Sequence, residues 1–416
     1  MSGLRTVRGT RDLLPEDSRR LRLVEERAFE TARRYGYGEV ATPIFEFTEV
    51  FARTLGDTSD VVTKEMYTFA DRGGDRLTLR PENTAGIVRA FVSNSLAARL
   101  PLRVFYRGPM FRYERPQKGR LRQFHQVGVE LLGVADPLGD VEVIALAADV
   151  LDALGVGDRT VLEINTLGDG ESRAAYRARL VEYLEAHRDR LSADSLERLA
   201  RNPLRILDSK DPGDREVVAE APSLGDALNS RSRDFFAAVL SGLDQAGIVY
   251  RFNPRLVRGL DYYCHTTFEF VTEALGAQGT VVAGGRYDGL VEQMGGPPTP
   301  GSGWAAGVER LMMLSETEAA TTPSRPIVMI ALGREQFGAA FRLARRLRSS
   351  GHVVEFGFGA SLGKQMKWAD KINARLAVIV GSDELSREVA TVRDMDAGAQ
   401  EEVSLAMLEE RLARRA

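Results

Sequence analysis

Leu102–Glu130 reads LRVFYRGPMFRYERPQKGRLRQFHQVGVE, two β-branched and aromatic runs separated by a loop of turn residues and cations. Such runs bounded by turn residues are strand signals, so Val104–Tyr113 and Leu121–Leu132 are expected to pair across Glu114–Arg120. Side chains alternate across a strand. Leu121, Val127, Val129 and Leu131, with Gln123 and His125, fall on one face, largely a packing face. Arg122, Phe124, Gln126, Gly128 and Glu130 fall on the other, which brings together a cation, an aromatic ring, an amide and a carboxylate. Between Arg107 and Arg122 six cations (Arg107, Arg112, Arg115, Lys118, Arg120, Arg122) meet one acid, Glu114. Arginine binds phosphate bidentately and keeps its charge when buried. A solvated charged hairpin is the ordinary reading of a cationic loop, but it leaves Gln126 and Glu130, on the same side as Phe124, unexplained. The stretch is expected to hold a polyanion at its loop and a small polar molecule on its strand.

Composition narrows the class. A chain of 416 residues accommodates two or three domains. Hydrophobic residues at 44% and charged residues at 28% describe an ordinary soluble protein. No apolar run has membrane-spanning length, and the polar MSGLRTVRGTRDLLPED carries no signal-peptide pattern. A single cysteine excludes an internal disulfide framework and suits a reducing cytoplasm, the expected location. With a net charge of −3, any nucleic-acid partner must be met by local basic surfaces. Four scattered histidines and one cysteine imply no zinc site. Gly359–Gln365 (GASLGKQ) mimics a phosphate-binding loop, but lacks one residue of the spacing and the following Ser/Thr.

The pattern divides the chain. Leu21, Val24, Phe29 and Ala32 recur at helical spacing over Asp17–Arg34, followed by a turn at Gly36 and Gly38 and a strand carrying Pro43, a residue of sheet edges and bulges. RLTLRPENTAGIVRAF (Arg76–Phe91) predicts strand, proline turn and helix, with Asn83 or Thr84 as its cap. From about Gly168 to Gly247 strand signals vanish and polar helical stretches dominate, which predicts a helical insertion, 169–247, splitting a catalytic domain into 1–168 and 248–320. A Pro/Ser/Thr/Ala linker (ETEAATTPSRP) follows Ser315. Beyond it, Ile327–Leu332, Val353–Phe358 and Leu376–Val380 alternate with helices, a compact α/β domain over 326–416. Lys364, Lys367, Lys371 and Arg375 recur at helical spacing there, as one cationic stripe.

Three further segments bear on chemistry. In RGLDYYCHTTFEF (Arg258–Phe270), a period of two puts Asp261, Tyr263, His265, Thr267 and Glu269 on one face. It puts Tyr262, Cys264, Thr266, Phe268 and Phe270 on a core face, which makes Cys264 an inert packed thiol. AGGRYDGL (Ala283–Leu290) has two glycines where backbone can approach a ligand or form a bulge. GSGWAAGVERLMML (Gly301–Leu314) predicts a glycine-rich turn entering a helix.

Together these segments resemble the class II aminoacyl-tRNA synthetases, specifically the histidyl-tRNA synthetase family. FRYERPQKGRLRQFHQ is similar to that family's motif 2, Arg258–Tyr263 and Ala283–Leu290 to its two histidine-specific signatures, and Gly301–Leu314 to motif 3. The helix, glycine turn and proline-bearing strand resemble motif 1, and RGTRDLLPE the family's opening segment. The resemblance implies an α+β catalytic domain built on an antiparallel sheet, a helical insertion and a C-terminal α/β anticodon-binding domain. It implies ATP-dependent activation of L-histidine, then transfer to the 3′ end of tRNA(His), in a homodimer with ATP as substrate and Mg2+ as cofactor. By resemblance Arg112 and Arg258 flank the reacting α-phosphate; Arg112, Glu114, Arg120, Phe124 and Arg310 bind ATP. Glu82, Thr84, Gln126, Glu130, Tyr263 and Tyr287 bind histidine; the metal ligands stay unassigned. The rival reading is a catalytically inactive paralogue that regulates ATP phosphoribosyltransferase; the complete Arg258–Tyr263 signature and the full C-terminal domain argue against it.

Overall fold

The computed structural model describes residues 4–55, 61–117, 119–257, 260, 262–276, 279–315, 324–358 and 361–413. The chain divides into two compact units, Met1–Thr321 and Thr322–Ala416. The first holds strands β1 (Gly38–Glu39), β2 (Phe45–Phe47), β3 (Tyr67–Ala70), β4 (Arg76–Leu79), β5 (Leu102–Phe111), β6 (Gln123–Leu132), β7 (Val161–Thr166), β8 (Tyr250–Phe252), β9 (Cys264–Val271), β10 (Thr280–Arg286) and β11 (Gly301–Gly307). An eight-stranded sheet runs β1-β5-β6-β11-β10-β9-β7-β8. Its interior pairs are antiparallel, and only the edge strands β1 and β8 pair parallel. A smaller antiparallel sheet runs β2-β4-β3.

The predicted hairpin is the middle of the large sheet. β5 and β6 pair from Leu102↔Leu132 to Phe111↔Gln123. The alternation read along β6 holds: Val127, Val129 and Leu131 enter a core that includes Val24, Ala28 and Ala32 of the helix Pro15–Arg34 and Ile144, Ala147 and Leu151 of the helix Pro137–Ala153. Backing one face with helices leaves the other face of β6 open for function.

Two expectations are corrected. Gly301–Gly307 is no turn but the strand β11, seated between β6 and β10. Its glycines serve close packing: a Cβ at Gly303 would collide with Glu130 Oε2, and one at Gly301 with the Tyr287 ring. Strand β9 begins only at Cys264, because His265 sits at φ +44° and the register against β10 shifts from Gly285↔Thr267 to Arg286↔Cys264. The period of two therefore fails across Tyr262–His265. Tyr262 lies beside Tyr263, ring centroids 4.6 Å apart, instead of on a core face with Phe268.

Between β7 and β8 the described residues are helical: Gly170–Ala186, Ala193–Arg201, Pro212–Ala219 and Ser230–Gln245, with a tight turn at Pro203–Asp208. Buried Asp214 knits this segment by accepting from the Ser192 amide and the Ser192, Ser195 and Ser209 hydroxyls.

The second unit contains β12 (Ile327–Ala331), β13 (Val354–Phe356), β14 (Leu376–Val380), β15 (Val389–Asp394) and β16 (Gln400–Ser404), in the order β13-β12-β14-β15-β16. β13, β12 and β14 are parallel, and β15 and β16 add antiparallel. The cationic stripe is shorter than expected. Its helix spans Leu362–Lys371, and Asn373 at φ +52° follows it. Arg375 therefore lies beyond the helix, 3.4 Å from His352 Nδ1, and the stripe is three lysines.

Candidate active site

A cavity of about 360 Å³ opens on the free face of the large sheet. Its lining includes Glu82, Thr84, Arg112, Glu114, Arg120, Phe124, Gln126, Tyr263 and Arg310, drawn from segments up to more than two hundred residues apart. Glu130 and Tyr287 sit directly behind this lining, both buried. Arg258, Asp261 and Lys118 lie outside the described residues.

One end of the cavity is dry and hydrogen-bonded. The helix Thr84–Ser93 is capped by neither Asn83 nor Thr84. Glu82 caps it instead: its carboxylate accepts from the amides of Thr84 at 2.7 Å and Ala85 at 3.0 Å. That frees the Thr84 hydroxyl, which donates to Glu130 Oε1 at 2.6 Å, while the Tyr287 hydroxyl donates to Glu130 Oε2. Burial pushes the Glu130 carboxyl up to about 8, against the lowering effect of these two hydroxyls, and nearby Glu82 adds to the rise. Burial likewise raises Glu82. Gln126 Oε1 is buried without a partner among the described residues, so a ligand donor in this cavity would satisfy a group that otherwise costs stability.

The other end is cationic and half open. Arg112 donates to the Pro81 carbonyl at 2.8 Å, and its guanidinium lies 5.4 Å from the centroid of the Phe124 ring. Arg120 pairs with Glu114. Arg310 donates to the carbonyls of Gly119 at 3.1 Å and Thr280 at 2.6 Å, which ties the hairpin loop to β10. Burial lowers the Arg310 guanidinium, and the positive charges of Arg120 and Arg112 lower it further. Burial also lowers Arg120, with Arg112 adding to the effect against Glu65. Crowded, partly desolvated guanidiniums destabilise one another until an anion enters. Of the described hairpin cations, Arg112 and Arg120 line the cavity. Arg107 instead pairs with Glu26 and Glu39, and Arg122 stacks on Tyr113 at 3.9 Å.

Several lining residues carried no chemistry in the sequence reading: Arg205, Tyr262, Glu269 and Glu309. The Glu309 carboxylate accepts from the His125 amide and meets His125 Nδ1 at 2.9 Å, which pins β6 between Phe124 and Gln126. Its signal was its place beside Arg310. Arg205 sits in an apolar interruption, Pro203–Leu207, of an otherwise polar helical segment. Cys264 behaves as expected of a packed thiol, pushed up to about 12 by burial. Among the described residues no group of three or more His, Cys, Asp or Glu is placed to hold a metal ion.

The histidyl-tRNA synthetase family model matches residues 9–311, and an anticodon-binding-domain model matches 327–415. The chain belongs to the histidyl-tRNA synthetase family. A histidine–tRNA ligase of Rhodospirillum rubrum is 64% identical over 100% of both chains, and one of Gluconacetobacter diazotrophicus 56% over 97% of both. The crystal structure of apo S. aureus histidyl-tRNA synthetase superposes with a TM-score of 0.82 at 34% identity, covering 98% of this chain and 99% of that one. The large antiparallel-rich sheet with a separate C-terminal α/β unit is this family's fold.

Proposed function

We propose that the chain is a histidine–tRNA ligase that joins L-histidine to ATP as histidyl-adenylate and then transfers the histidyl group to the 3′ end of tRNA(His). The observation that carries this reading is one cavity with an arginine cluster at one end and a buried Glu130–Thr84–Tyr287 network at the other. The 64% identity to a protein named histidine–tRNA ligase, and the anticodon-binding match, favour it over the regulatory paralogue.

In this reading the first step is an in-line displacement: the histidine carboxylate attacks the α-phosphate and pyrophosphate leaves. Positioning and charge neutralisation supply most of such catalysis. Arg112 and Arg258 flank the α-phosphate, and Arg120 and Arg310 hold the outer phosphates. Phe124 stacks on one side of the adenine and Arg310 on the other. Glu114 fixes Arg120. At the dry end Glu82, Thr84 and Gln126 receive the substrate's ammonium group, and Tyr263 and the Glu130 floor receive its imidazole. A buried site that bonds both ring nitrogens rejects other amino acids, because each would leave polar groups unpaired.

Magnesium would enter as the ion that ATP brings. It normally keeps several waters and takes one or two carboxylates besides the phosphates, and Glu114 and Glu269 are lining carboxylates suited to that duty. When bound, it neutralises phosphate charge. We further assign 1–168 with 248–320 to a split catalytic domain, 169–247 to the insertion and 326–416 to the anticodon-binding domain. A homodimer is supported by exposed Ile44, Phe45, Phe47 and Phe69 on and beside the small sheet. No described helix is long and apolar enough to cross a membrane, and cytoplasmic location rests on the single cysteine. Histidine-dependent ATP–pyrophosphate exchange tests the whole reading; a purified, folded chain that binds histidine but does not exchange would overturn it.

A further inference from the structure

The residues ahead of the first helix touch the cationic end of the site. Val7–Thr10 folds as a tight turn, in which the Thr10 amide and hydroxyl both donate to the Val7 carbonyl, at 2.9 and 2.8 Å. Gly9, at φ +86°, offers its carbonyl to the hairpin, where it accepts from the Arg122 amide at 2.7 Å. A Cβ at Gly9 would lie 2.8 Å from Arg122 Cγ and 2.9 Å from Pro116 Cγ, so glycine is what permits this approach. Arg122 in turn closes the base of the hairpin loop. Its carbonyl accepts from the Arg112 amide at 3.0 Å, and its Nε donates to the Glu114 carbonyl at 3.1 Å. The Gly9 contact therefore bears on the stretch that carries Arg112, Glu114 and Arg120.

The same stretch is fixed to the other supplier of cavity arginines. A short connection, Thr10–Leu14, leads into the helix Pro15–Arg34. From that helix Arg20 donates to the Met312 carbonyl at 2.9 Å, on the helix Val308–Leu314 that carries Arg310. Val24 and Ala28 share a core with Val308, Leu311 and Met312. The hairpin loop meets the short helix at Gly119, where a Cβ would fall 2.9 Å from Met313 Cε, and Arg310 donates to the Gly119 carbonyl. Loop and helix thus touch directly and are also joined through residues 9–20. The arginines they carry repel one another until an anion enters, which pushes the loop away from the helix. A segment attached to both, with so short a connection, opposes that separation.

We propose that Gly9 and Arg20 are positioning residues for adenylate formation: the segment between them straps the motif 2 loop to the motif 3 helix and sets the gap across which Arg120 and Arg310 meet the outer phosphates of ATP. The inference rests on the ligase reading, in which those arginines hold the nucleotide, and gives the N-terminal segment a part in the first step.

The test uses the full chain with Gly9→Ala, Arg20→Met and Arg20→Lys. Pyrophosphate exchange is measured with ATP and with histidine as the varied substrate, beside direct binding of each by calorimetry. Gly9→Ala meets both the positive φ and the collision with Arg122. It lowers kcat/KM for ATP about 10–100-fold, the scale of loss when groups at a reacting centre are misplaced by about an ångström. Histidine affinity without ATP keeps the parent's value, because the Glu130–Thr84–Tyr287 network is built from other segments. Arg20→Met keeps the stem, removes the donor and gives the same ATP-selective loss on a smaller scale; Arg20→Lys recovers part of it. An unchanged kcat/KM for ATP in Gly9→Ala, or ATP and histidine affinities falling together as in a folding defect, overturns the proposal. If Gly9→Ala fails to fold, the Arg20 variants decide by the same criterion, since their contact lies at the other end of the strap. Absence of exchange in the parent chain would instead sink the ligase reading, while weaker ATP binding in Gly9→Ala would still support the strap.

Discussion

The two ends of the cavity solve opposite problems. At the cationic end Arg112, Arg120 and Arg310 crowd one another and remain partly solvated. At the floor Glu130 is 1% exposed, hydrogen-bonded through both oxygens, and held toward its neutral form. The first end stores unfavourable charge that a polyanion relieves. At the second, Glu130 already has protein partners while Gln126 Oε1 awaits a donor, so recognition there is by placed hydrogen bonds. Damage to the cationic end should therefore appear mainly in the chemical step, and damage to the floor mainly in the choice and binding of the amino acid.

The largest effect separates these ends. Replacing Arg112 or Arg310 by alanine should lower the rate of pyrophosphate exchange by about 10²–10³-fold, the usual loss when one preorganised charge partner of a transition state is removed. Histidine binding, measured by calorimetry without ATP, should change little. Loss of histidine binding in these variants would show that the two ends are one network, and would break the comparison.

Glu130→Gln is next. It keeps the shape of the floor but changes its donors and acceptors, and should raise the histidine KM about 10–100-fold, the range expected when a buried hydrogen-bonding group loses its partner. The ATP KM should move far less. Equal loss for both substrates would place Glu130 in the general scaffold.

What the sequence revealed follows the same division. The hairpin was legible because a period of two is a short-range property: Phe124 and Gln126 parted from Val127 and Val129 without reference to the rest of the chain. Arg112, Arg120 and Arg310 were legible once placed on motifs. The floor was harder, since its logic spans distant segments. Thr84 read as a histidine ligand by resemblance and as a helix cap by local pattern, and only the fold shows Glu82 taking the cap and leaving the hydroxyl to Glu130. Gly301 and Gly303 read as a turn because glycine marks turns locally, whereas here it makes room for Glu130 and Tyr287 across the sheet. The positive φ of His265, which ends the alternation at Tyr262, has no local signature, because no glycine or asparagine stands there. Arg205 carried no role for a related reason: Val257 and Leu260, which line the cavity with it, follow the helical segment in the chain.

Proton linkage sharpens the comparison further. With its carboxyl raised from the ordinary 4.5 to about 8, folded Glu130 holds a proton that the unfolded chain has released anywhere between those values. The slope of unfolding free energy with pH is negative wherever the native state binds more protons. This group's contribution is thus full below about pH 4.5 and lost as pH rises through 8. The Tm of the parent should fall relative to that of Glu130→Gln across pH 5–8. A constant difference would mean that Glu130 is ionised throughout.

The smallest effect asks whether Tyr287 acts on substrate or on Glu130. Tyr287→Phe keeps the ring and removes one hydroxyl. Loss of a single buried hydrogen bond of about 1 kcal/mol predicts a rise of roughly fivefold in the histidine KM. Because the Tyr287 hydroxyl lowers the Glu130 carboxyl, its removal must raise that carboxyl still further. The pH midpoint of histidine binding should accordingly move to higher pH in Tyr287→Phe and vanish in Glu130→Gln. A fivefold KM change with no movement of the midpoint would assign the hydroxyl to the substrate directly. Movement of the midpoint makes Tyr287 a positioning residue, acting through the carboxyl beneath the substrate.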